Sequence, residues 1–212
     1  MAPRDNEAER RLESILKERY FQLPQDEDER IRAAIIEVLG SYIGKRENTV
    51  TFLDKVAKMI LRRFEFREVA IGLLDKKNMK YKYVISIGYT KTAQLTQLKA
   101  EFIYEDFFDN EKYPAIPIGR NSYFLTETPR KEDKAIYSQP SLLGKGRPSP
   151  ESMIEGDYID IFMWGDEKTL IGWLELSSPR SGNIPPRKVM NWLELIASII
   201  ARIVWERDYS AK

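Results

Sequence analysis

Two carboxylates, Asp160 and Glu175, are the residues of this sequence whose types and spacing could support chemistry. A pair of acids can act as general acid and nucleophile, as it does in glycoside hydrolysis. It can also form a structural contact with a nearby arginine, lysine or backbone amide. No other catalytic group accompanies the pair, so the sequence favours the structural interpretation over the catalytic one. A third hypothesis is that the acids recognise a cationic or amine-bearing small molecule.

The acids are positioned by a β-hairpin, which the surrounding composition predicts. Residues 158–164 and 169–176 are rich in β-branched and aromatic side chains, and they flank a polar four-residue turn. On one face the predicted cross-strand pairs are Trp164–Thr169, Phe162–Ile171, Asp160–Trp173 and Tyr158–Glu175. On the other face they are Met163–Leu170, Ile161–Gly172 and Ile159–Leu174. Because side chains alternate along a strand, we interpret the aromatic and acidic face as the floor of a cavity and the apolar face as packed beneath helices.

Other aromatic and charged residues could complete such a cavity. The aromatic cluster Phe102, Tyr104, Phe107 and Phe108 could form its opposite wall, although a cluster of this kind is more often plain core. Arg120, which is followed by polar residues, could bind a carboxylate or phosphate group. The predicted ligand-binding residues are therefore Tyr104, Phe107, Arg120, Tyr123, Tyr158, Asp160, Phe162, Trp173 and Glu175.

Cysteine and histidine are both missing from the 212 residues. Without cysteine the chain has no disulfide, thiolate metal site or cysteine nucleophile, and without histidine it lacks the commonest general base and metal or haem ligand. We therefore expect no enzyme activity, no metal site and no cofactor. The net charge of +1 argues against a nucleic-acid-binding protein. No apolar run is long enough to span a bilayer and the charged N-terminus is not a signal peptide, so we expect a cytoplasmic protein that does not bind membranes.

The order of predicted elements indicates an α+β fold. Helices are predicted over residues 5–20, 31–43 and 49–64, and a last helix over about 185–208. The strands lie between the third and the last helix, so we predict an antiparallel sheet with the N- and C-terminal helices on one face. Residues 128–156 are rich in proline and glycine and are predicted to form a long loop, partly disordered or acting as a flap.

The last helix is apolar around much of its circumference. Its apolar residues, which cover more than one stripe, are Val189, Trp192, Leu193, Leu195, Ile196, Ile199, Ile200, Ile203 and Val204. A helix with this pattern is usually covered on two sides. We predict that one side packs on the sheet and that the other meets the terminal helices of a second copy, forming a homodimer. The alternative is that the first two helices of the same chain cover it.

Several segments resemble the GAF sensory domain family. They are residues 66–74 (FREVAIGLL), 158–163, 170–178 (LIGWLELSS) followed by Arg180, and 192–197 (WLELIA) in a helix that starts after prolines. The resemblance extends over about residues 48–206, so we predict an N-terminal helical extension over 1–47 and a GAF-like domain over 48–212. It implies an antiparallel sheet of about six strands, terminal helices that often build a dimer, and a ligand pocket on the opposite face of the sheet.

The better-marked GAF subtypes do not fit this chain. Bilin attachment requires a cysteine or histidine, haem-binding members use a histidine ligand, and the methionine sulfoxide reductase members depend on cysteines. The signature of the cyclic-nucleotide-binding members is not found. The resemblance therefore implies a non-enzymatic sensory or regulatory domain that binds a small organic ligand and signals through a helical dimer interface. The alternative is a structural dimerisation module whose pocket is closed by its own side chains.

Overall fold

Seven antiparallel strands form one sheet in the computed structural model, which describes residues 11, 14–16, 26–43, 47–111, 113–126 and 134–210. The strands are β1 (Phe66–Asp75), β2 (Lys80–Ile87), β3 (Glu101–Phe102), β4 (Ala115–Pro117), β5 (Ser122–Thr126), β6 (Asp157–Trp164) and β7 (Leu170–Pro179). Their order across the sheet is β3-β2-β1-β7-β6-β5-β4. The predicted hairpin, β6 and β7, therefore lies at the centre of the sheet beside β1.

Four helices accompany the sheet in the described part of the chain: α1 (Glu27–Ile43), α2 (Thr49–Arg63), α3 (Lys91–Gln97) and α4 (Arg187–Val204). Three of them begin where a side chain caps free backbone amides. The Asp26 side chain accepts a hydrogen bond of 2.7 Å from the amide of Glu29 at the start of α1. The Asn48 side chain accepts a hydrogen bond of 2.8 Å from the amide of Thr51 at the start of α2. The Thr90 hydroxyl accepts one from the amide of Ala93 at the start of α3. No helix in the described residues is long and apolar enough to cross a membrane.

The α+β architecture predicted from the order of elements is confirmed. The sheet has seven strands instead of about six, because the segment between β2 and β5 contributes two short edge strands, β3 and β4. Strands of two and three residues are too short to show a period in the sequence. Of the predicted first helix, Arg11 and residues 14–16 are helical, and the rest lies outside the described residues.

Helices α2 and α4 pack against strands β1 and β6, respectively, and close one hydrophobic core. The fully buried residues of this core include Leu53, Ile60, Ile71, Ile159, Ile161, Leu174 and Leu193. Burying one such side chain stabilises the fold by about 1.5–3 kcal/mol, so the apolar face of the sheet is what holds the helices in place. Ile31, Ala34 and Ile35 of α1 join the same core. The division of the chain after residue 47 stays a prediction.

The predicted register of the hairpin is wrong by two residues. Asp160 lies opposite Glu175, not Trp173, and the observed pairs are Tyr158–Ser177, Ile159–Leu176, Asp160–Glu175, Ile161–Leu174, Phe162–Trp173, Met163–Gly172 and Trp164–Leu170. The connection is longer than a four-residue turn because it contains a 3₁₀ turn, Asp166–Lys168, and a register shift between Met163 and Trp164. A slip of two residues returns each side chain to the same face. Asp160 and Glu175 therefore still share a face with Trp173.

Gly72 of β1 should not tolerate a side chain, because Trp173 packs directly on it. A Cβ atom at Gly72 would lie 2.0 Å from the Trp173 ring, and that ring is only 1% exposed, so it has no room to shift. We expect Gly72→Ala to lower the free energy of unfolding by about 1–3 kcal/mol. Urea denaturation followed by tryptophan fluorescence measures the change.

Gly40 of α1 provides the matched control, since no atom lies within 4 Å of a Cβ added there. In the interior of a helix, Gly40→Ala should raise the free energy of unfolding by up to about 1 kcal/mol. Equal stability of Gly72→Ala and the wild-type chain would contradict the packing of Trp173 on β1.

Candidate functional site

A cavity of about 250 Å³ lies on the face of the sheet that carries Trp173 and Glu175. Its floor is formed by strands β1, β2, β5, β6 and β7, and its other walls by residues 97–107, 113–115, 136–138 and 154–156. This volume is just below the range of about 300–1,000 Å³ that is typical of small-molecule sites. The cavity therefore suits a ligand of the size of a small metabolite.

Cross-strand pairing arranges the floor in parallel rows of like chemistry. The opposed residues on this face are Phe162–Trp173, Asp160–Glu175 and Tyr158–Ser177. Neighbouring strands extend two of the rows, because Tyr123 of β5 lies opposite Asp160 and Glu68 of β1 lies opposite Ser177. An aromatic row is thus followed by an acidic row and then by a row of hydroxyl groups and one carboxylate.

Aromatic rings form one end of the cavity around Trp173. The centroid of the Trp173 ring lies 4.9 Å from that of Tyr83, 5.0 Å from that of Phe107 and 5.7 Å from that of Phe102. Most of these rings meet at steep angles, the geometry that aromatic pairs favour. The rings hold one another in place, so this end of the cavity is preformed.

Glu175 is a buried carboxylate that is held by tyrosine hydroxyls. Tyr83 donates a hydrogen bond to Glu175 Oε2, and Tyr89 donates one of 3.0 Å to Oε1. Burial raises the pKa of the Glu175 carboxyl above its ordinary value, and hydrogen bonds from Tyr83, Tyr89 and Trp173 oppose that shift. Burial, followed by the charge of Glu175, also raises the pKa of Tyr83 and of Tyr89, so both hydroxyls stay protonated donors.

Glu68 is a second buried carboxylate, and it is linked to Glu175 through hydroxyl groups. Ser177 and Ser178 donate hydrogen bonds of 2.9 and 2.8 Å to Glu68 Oε2. Tyr89 Oη lies 3.2 Å from Ser177 Oγ and 3.0 Å from Glu175 Oε1. The two carboxylates therefore belong to one hydrogen-bond network. Glu68 is 6% exposed and Glu175 is 7% exposed.

The charge of the lining is negative. Its ionisable acids are Glu68, Asp106, Glu155, Asp157, Asp160 and Glu175, and no lysine or arginine is found among the described residues that line the cavity. Burial is the largest cause that raises the pKa of Glu155, and the charge of Glu68 raises this pKa further. The described residues contain no group of three or more side chains arranged to hold a metal ion.

The segment that covers the cavity is fixed by Arg147, whose guanidinium contacts both carboxylate oxygens of Asp157. The Asp157 side chain is fully buried and also accepts a hydrogen bond of 2.8 Å from the amide of Ile154 and one of 3.0 Å from Thr126 Oγ1. Residues 134–156 of the predicted loop thus reach the cavity as an attached wall. Whether they move as a flap stays a prediction, and residues 128–133 lie outside the described residues.

The structure brings together seven of the nine predicted ligand-binding residues as lining of this cavity: Phe107, Tyr123, Tyr158, Asp160, Phe162, Trp173 and Glu175. Tyr104 does not line it, because it begins a 3₁₀ turn in which its ring packs on Phe108, and it is 46% exposed. Arg120 does not line it either, because it lies in the exposed turn between β4 and β5. Binding of a ligand by these residues stays a prediction.

Sequence reasoning missed Glu68, Tyr83, Tyr89 and Ser177, which hold or form the buried acidic network. One signal was available for Glu68, an acid directly before the apolar run 69–74. No pattern pointed to Tyr89, which follows the end of β2.

A sheet with terminal helices on one face and a cavity on the other is the arrangement of GAF domains, and this chain has the GAF fold. The GAF domain from Acinetobacter phosphoenolpyruvate-protein phosphotransferase matches with a TM-score of 0.55 at 11% identity, over 90% of this chain and 99% of that chain. The GAF domain of a proposed sensor histidine kinase from Pseudomonas syringae pv. tomato matches with a TM-score of 0.50 at 11% identity, over 94% of this chain and 92% of that chain.

A free methionine-R-sulfoxide reductase from Neisseria meningitidis, solved in complex with its substrate, also matches. Its TM-score is 0.50 at 12% identity, over 84% of this chain and 90% of that chain. No protein-family model and no curated protein matches the sequence. Identities this low establish the fold and leave the function to be argued from the site.

The raised pKa of Glu175 predicts a pH dependence of stability. The folded state keeps the proton to a higher pH than the unfolded state, whose glutamate titrates near 4.5. The contribution is thus fully present below about pH 4.5 and is lost as the pH rises through the folded-state pKa. We expect Glu175→Gln, which does not titrate, to gain stability relative to the wild type over this range.

Thermal unfolding of the wild type and of Glu175→Gln across this pH range measures the difference in their stability. Glu151→Gln is the matched control, because the Glu151 side chain is exposed and the substitution should leave the pH profile unchanged. A constant difference in stability between wild type and Glu175→Gln at every pH would contradict the assignment.

Proposed function

We propose that this chain is a sensory domain that binds a small organic molecule in the cavity and does not convert it chemically. The observation that carries the proposal is a preformed cavity of about 250 Å³ whose floor presents aromatic rings at one end and a buried polar network beside them. The GAF fold supports a sensory role, since a similar structure belongs to a proposed sensor histidine kinase.

The absence of an enzymatic role is proposed on the composition of the chain. A similar structure is a methionine-R-sulfoxide reductase, but the GAF members with that activity depend on cysteines, and this chain has none. The acids Asp160 and Glu175 lie side by side, in a cross-strand pair, and Glu175 is occupied by two tyrosine hydroxyls. That environment suits recognition of a ligand better than proton transfer.

A change in the cavity can reach α4 through Glu194. Glu194 Oε1 accepts a hydrogen bond of 2.8 Å from the amide of Asn121 and one of 2.6 Å from Ser122 Oγ. Ser122 begins β5, and the next residue, Tyr123, lines the cavity. A ligand that displaces Tyr123 would therefore pull on α4, and helix shifts of this kind are a known form of signal.

The same helix is our candidate for the dimer interface. Leu195 is 47% exposed, and Trp192, Ile199 and Ile203 on the same stripe are partly exposed. Helix α1 contacts the first turns of α4, where Asp28 accepts hydrogen bonds from Trp192 and Lys188. A second copy that covers this stripe would bury it and would relay movement of α4 between two chains.

Substitution of Leu195 tests the dimer. If α4 forms the interface, Leu195→Glu places a charge in an apolar contact and should reduce the mass measured by light scattering from two chains to one. Ile116→Glu is the control, because Ile116 is 61% exposed on the edge strand β4 and lies outside α4. A wild-type chain that is monomeric at the highest concentration measured would rule out the dimer.

Ligand binding is tested by thermal shift against a panel of small metabolites. A ligand at about 100 times its dissociation constant should stabilise the folded chain by about 2.7 kcal/mol. Ala115→Trp should abolish this stabilisation, since Ala115 lines the cavity and an indole would fill it. Ile116→Trp is the matched control, because the adjacent residue points to the other side of β4.

The two candidate functions separate in this experiment. A metabolite whose stabilisation is lost in Ala115→Trp and kept in Ile116→Trp supports the sensory domain. If no metabolite stabilises the chain and Leu195→Glu still dissociates a dimer, the structural dimerisation module replaces the sensory proposal.

A further inference from the structure

We propose that the cavity takes a compact organic cation, with its ammonium group between Glu68 and Glu175 and its apolar body against the aromatic end. This inference rests on the proposed function, because it names the chemical class of the ligand for the same cavity. It is carried by the cavity together with a carboxylate oxygen that accepts no hydrogen bond from the described residues, the acidic side chains of the lining and the arrangement of the rings.

One oxygen of Glu68, Oε1, is free to accept a hydrogen bond from a ligand. Both hydrogen bonds to this side chain, from Ser177 and Ser178, go to Oε2, and Oε1 accepts none from the described residues. Glu68 is 6% exposed and lines the cavity. An N–H group of a ligand in the cavity can therefore donate to Oε1, and hydrogen bonds to charged groups are among the stronger ones.

Glu175 has acceptor capacity left as well. A carboxylate offers about four lone-pair sites, and Tyr83, Tyr89 and Trp173 account for three of them. The hydroxyl of Tyr89 joins Glu175 to Ser177, which in turn donates to Glu68, so both carboxylates belong to one hydrogen-bond network that lines the cavity. An ammonium group, with three N–H donors, can bond to both.

The acidic side chains of the lining favour a positively charged ligand over a negatively charged one. The charge of Glu68 is among the causes that raise the pKa of Glu155 and of Glu175, after burial. No lysine or arginine balances them among the described lining residues. An anionic ligand would meet like charges in a poorly solvated space, whereas a cation would neutralise them.

The remaining lining fits an organic body instead of a bare metal ion. Phe162 lies 5.9 Å from Phe107 and 4.9 Å from Tyr123, measured between ring centroids, and these rings continue the aromatic wall around Trp173. Rings next to an acidic floor can bind alkyl or aryl groups and can also attract a cation through their faces. Amines of roughly ten heavy atoms match both the size and the polarity of the cavity.

Matched probes test the class of ligand. Each amine of a small panel, with 2-phenylethylamine as its first member, is compared with the alcohol and the carboxylate of the same skeleton, 2-phenylethanol and 3-phenylpropionate. Thermal shift and calorimetric titration at neutral pH measure binding. We expect stabilisation by the amines, and at least about tenfold weaker binding of the alcohols and carboxylates.

Glu68→Gln tests the position of the ammonium group. The glutamine oxygen can still accept from Ser177 and Ser178, so the fold is retained, while its NH₂ group replaces Oε1 and removes the charge. The dissociation constant of the amines should rise at least about tenfold, with a smaller effect on the alcohols. Glu151→Gln, at an exposed position, should leave every dissociation constant unchanged.

The outcomes distinguish this inference from the proposed function. If alcohols or carboxylates bind with equal or higher affinity than the amines and Ala115→Trp blocks this binding, the proposal of a cationic ligand is overturned. The proposal of a sensory domain with a ligand cavity is then retained. Amine binding that Glu68→Gln does not weaken also overturns the inference. If no probe and no metabolite of any charge binds, the proposed function fails together with it.

Discussion

The alternation of side chains along β6 and β7 is the constraint on which the rest of the structure depends. Ile159 and Leu174 are fully buried in the core, while their chain neighbours Asp160 and Glu175 face the cavity. A slip of one residue would place acids in the core and isoleucines in the cavity, at a large cost in free energy. Hydrophobic packing on one side of the sheet thus fixes where the polar groups stand on the other.

The side chains on the cavity face destabilise the folded state, because buried carboxylates lose their hydration. The chain offsets part of that cost with neutral donors: the phenols of Tyr83 and Tyr89 and the hydroxyls of Ser177 and Ser178. Arg147 plays the corresponding role for Asp157 at the edge of the cavity. A core built only for stability would carry apolar residues at these positions, and departures of this kind are typical of functional sites.

The sequence predicted the faces of the hairpin more reliably than its register. Asp160, Phe162, Trp173 and Glu175 share a face for any register that differs by two, so an error in the turn did not move them. The length of the connection could not be predicted, because it depends on the 3₁₀ turn Asp166–Lys168 and the adjacent irregularity.

The cavity residues on strands outside the hairpin were harder to predict, since the order of strands in the sheet is a tertiary property. Glu68 reaches the cavity only because β1 lies beside β7, and Tyr83 only because β2 lies beside β1. Tyr104 and Phe107 belong to one aromatic cluster in the sequence, yet the 3₁₀ turn Tyr104–Phe108 directs one outward and the other into the cavity.

The two edges of the sheet bear on how the chain behaves at high concentration. Edge strand β3 has two residues, and Glu101 within it forms ion pairs with Lys80 and Lys82. Edge strand β4 has three residues, and its last, Pro117, has no amide hydrogen to offer. Short, charged or proline-bearing edges give a neighbouring molecule little backbone with which to pair. The fold can therefore keep a cavity on one face of its sheet without favouring the strand-by-strand association that leads to aggregates.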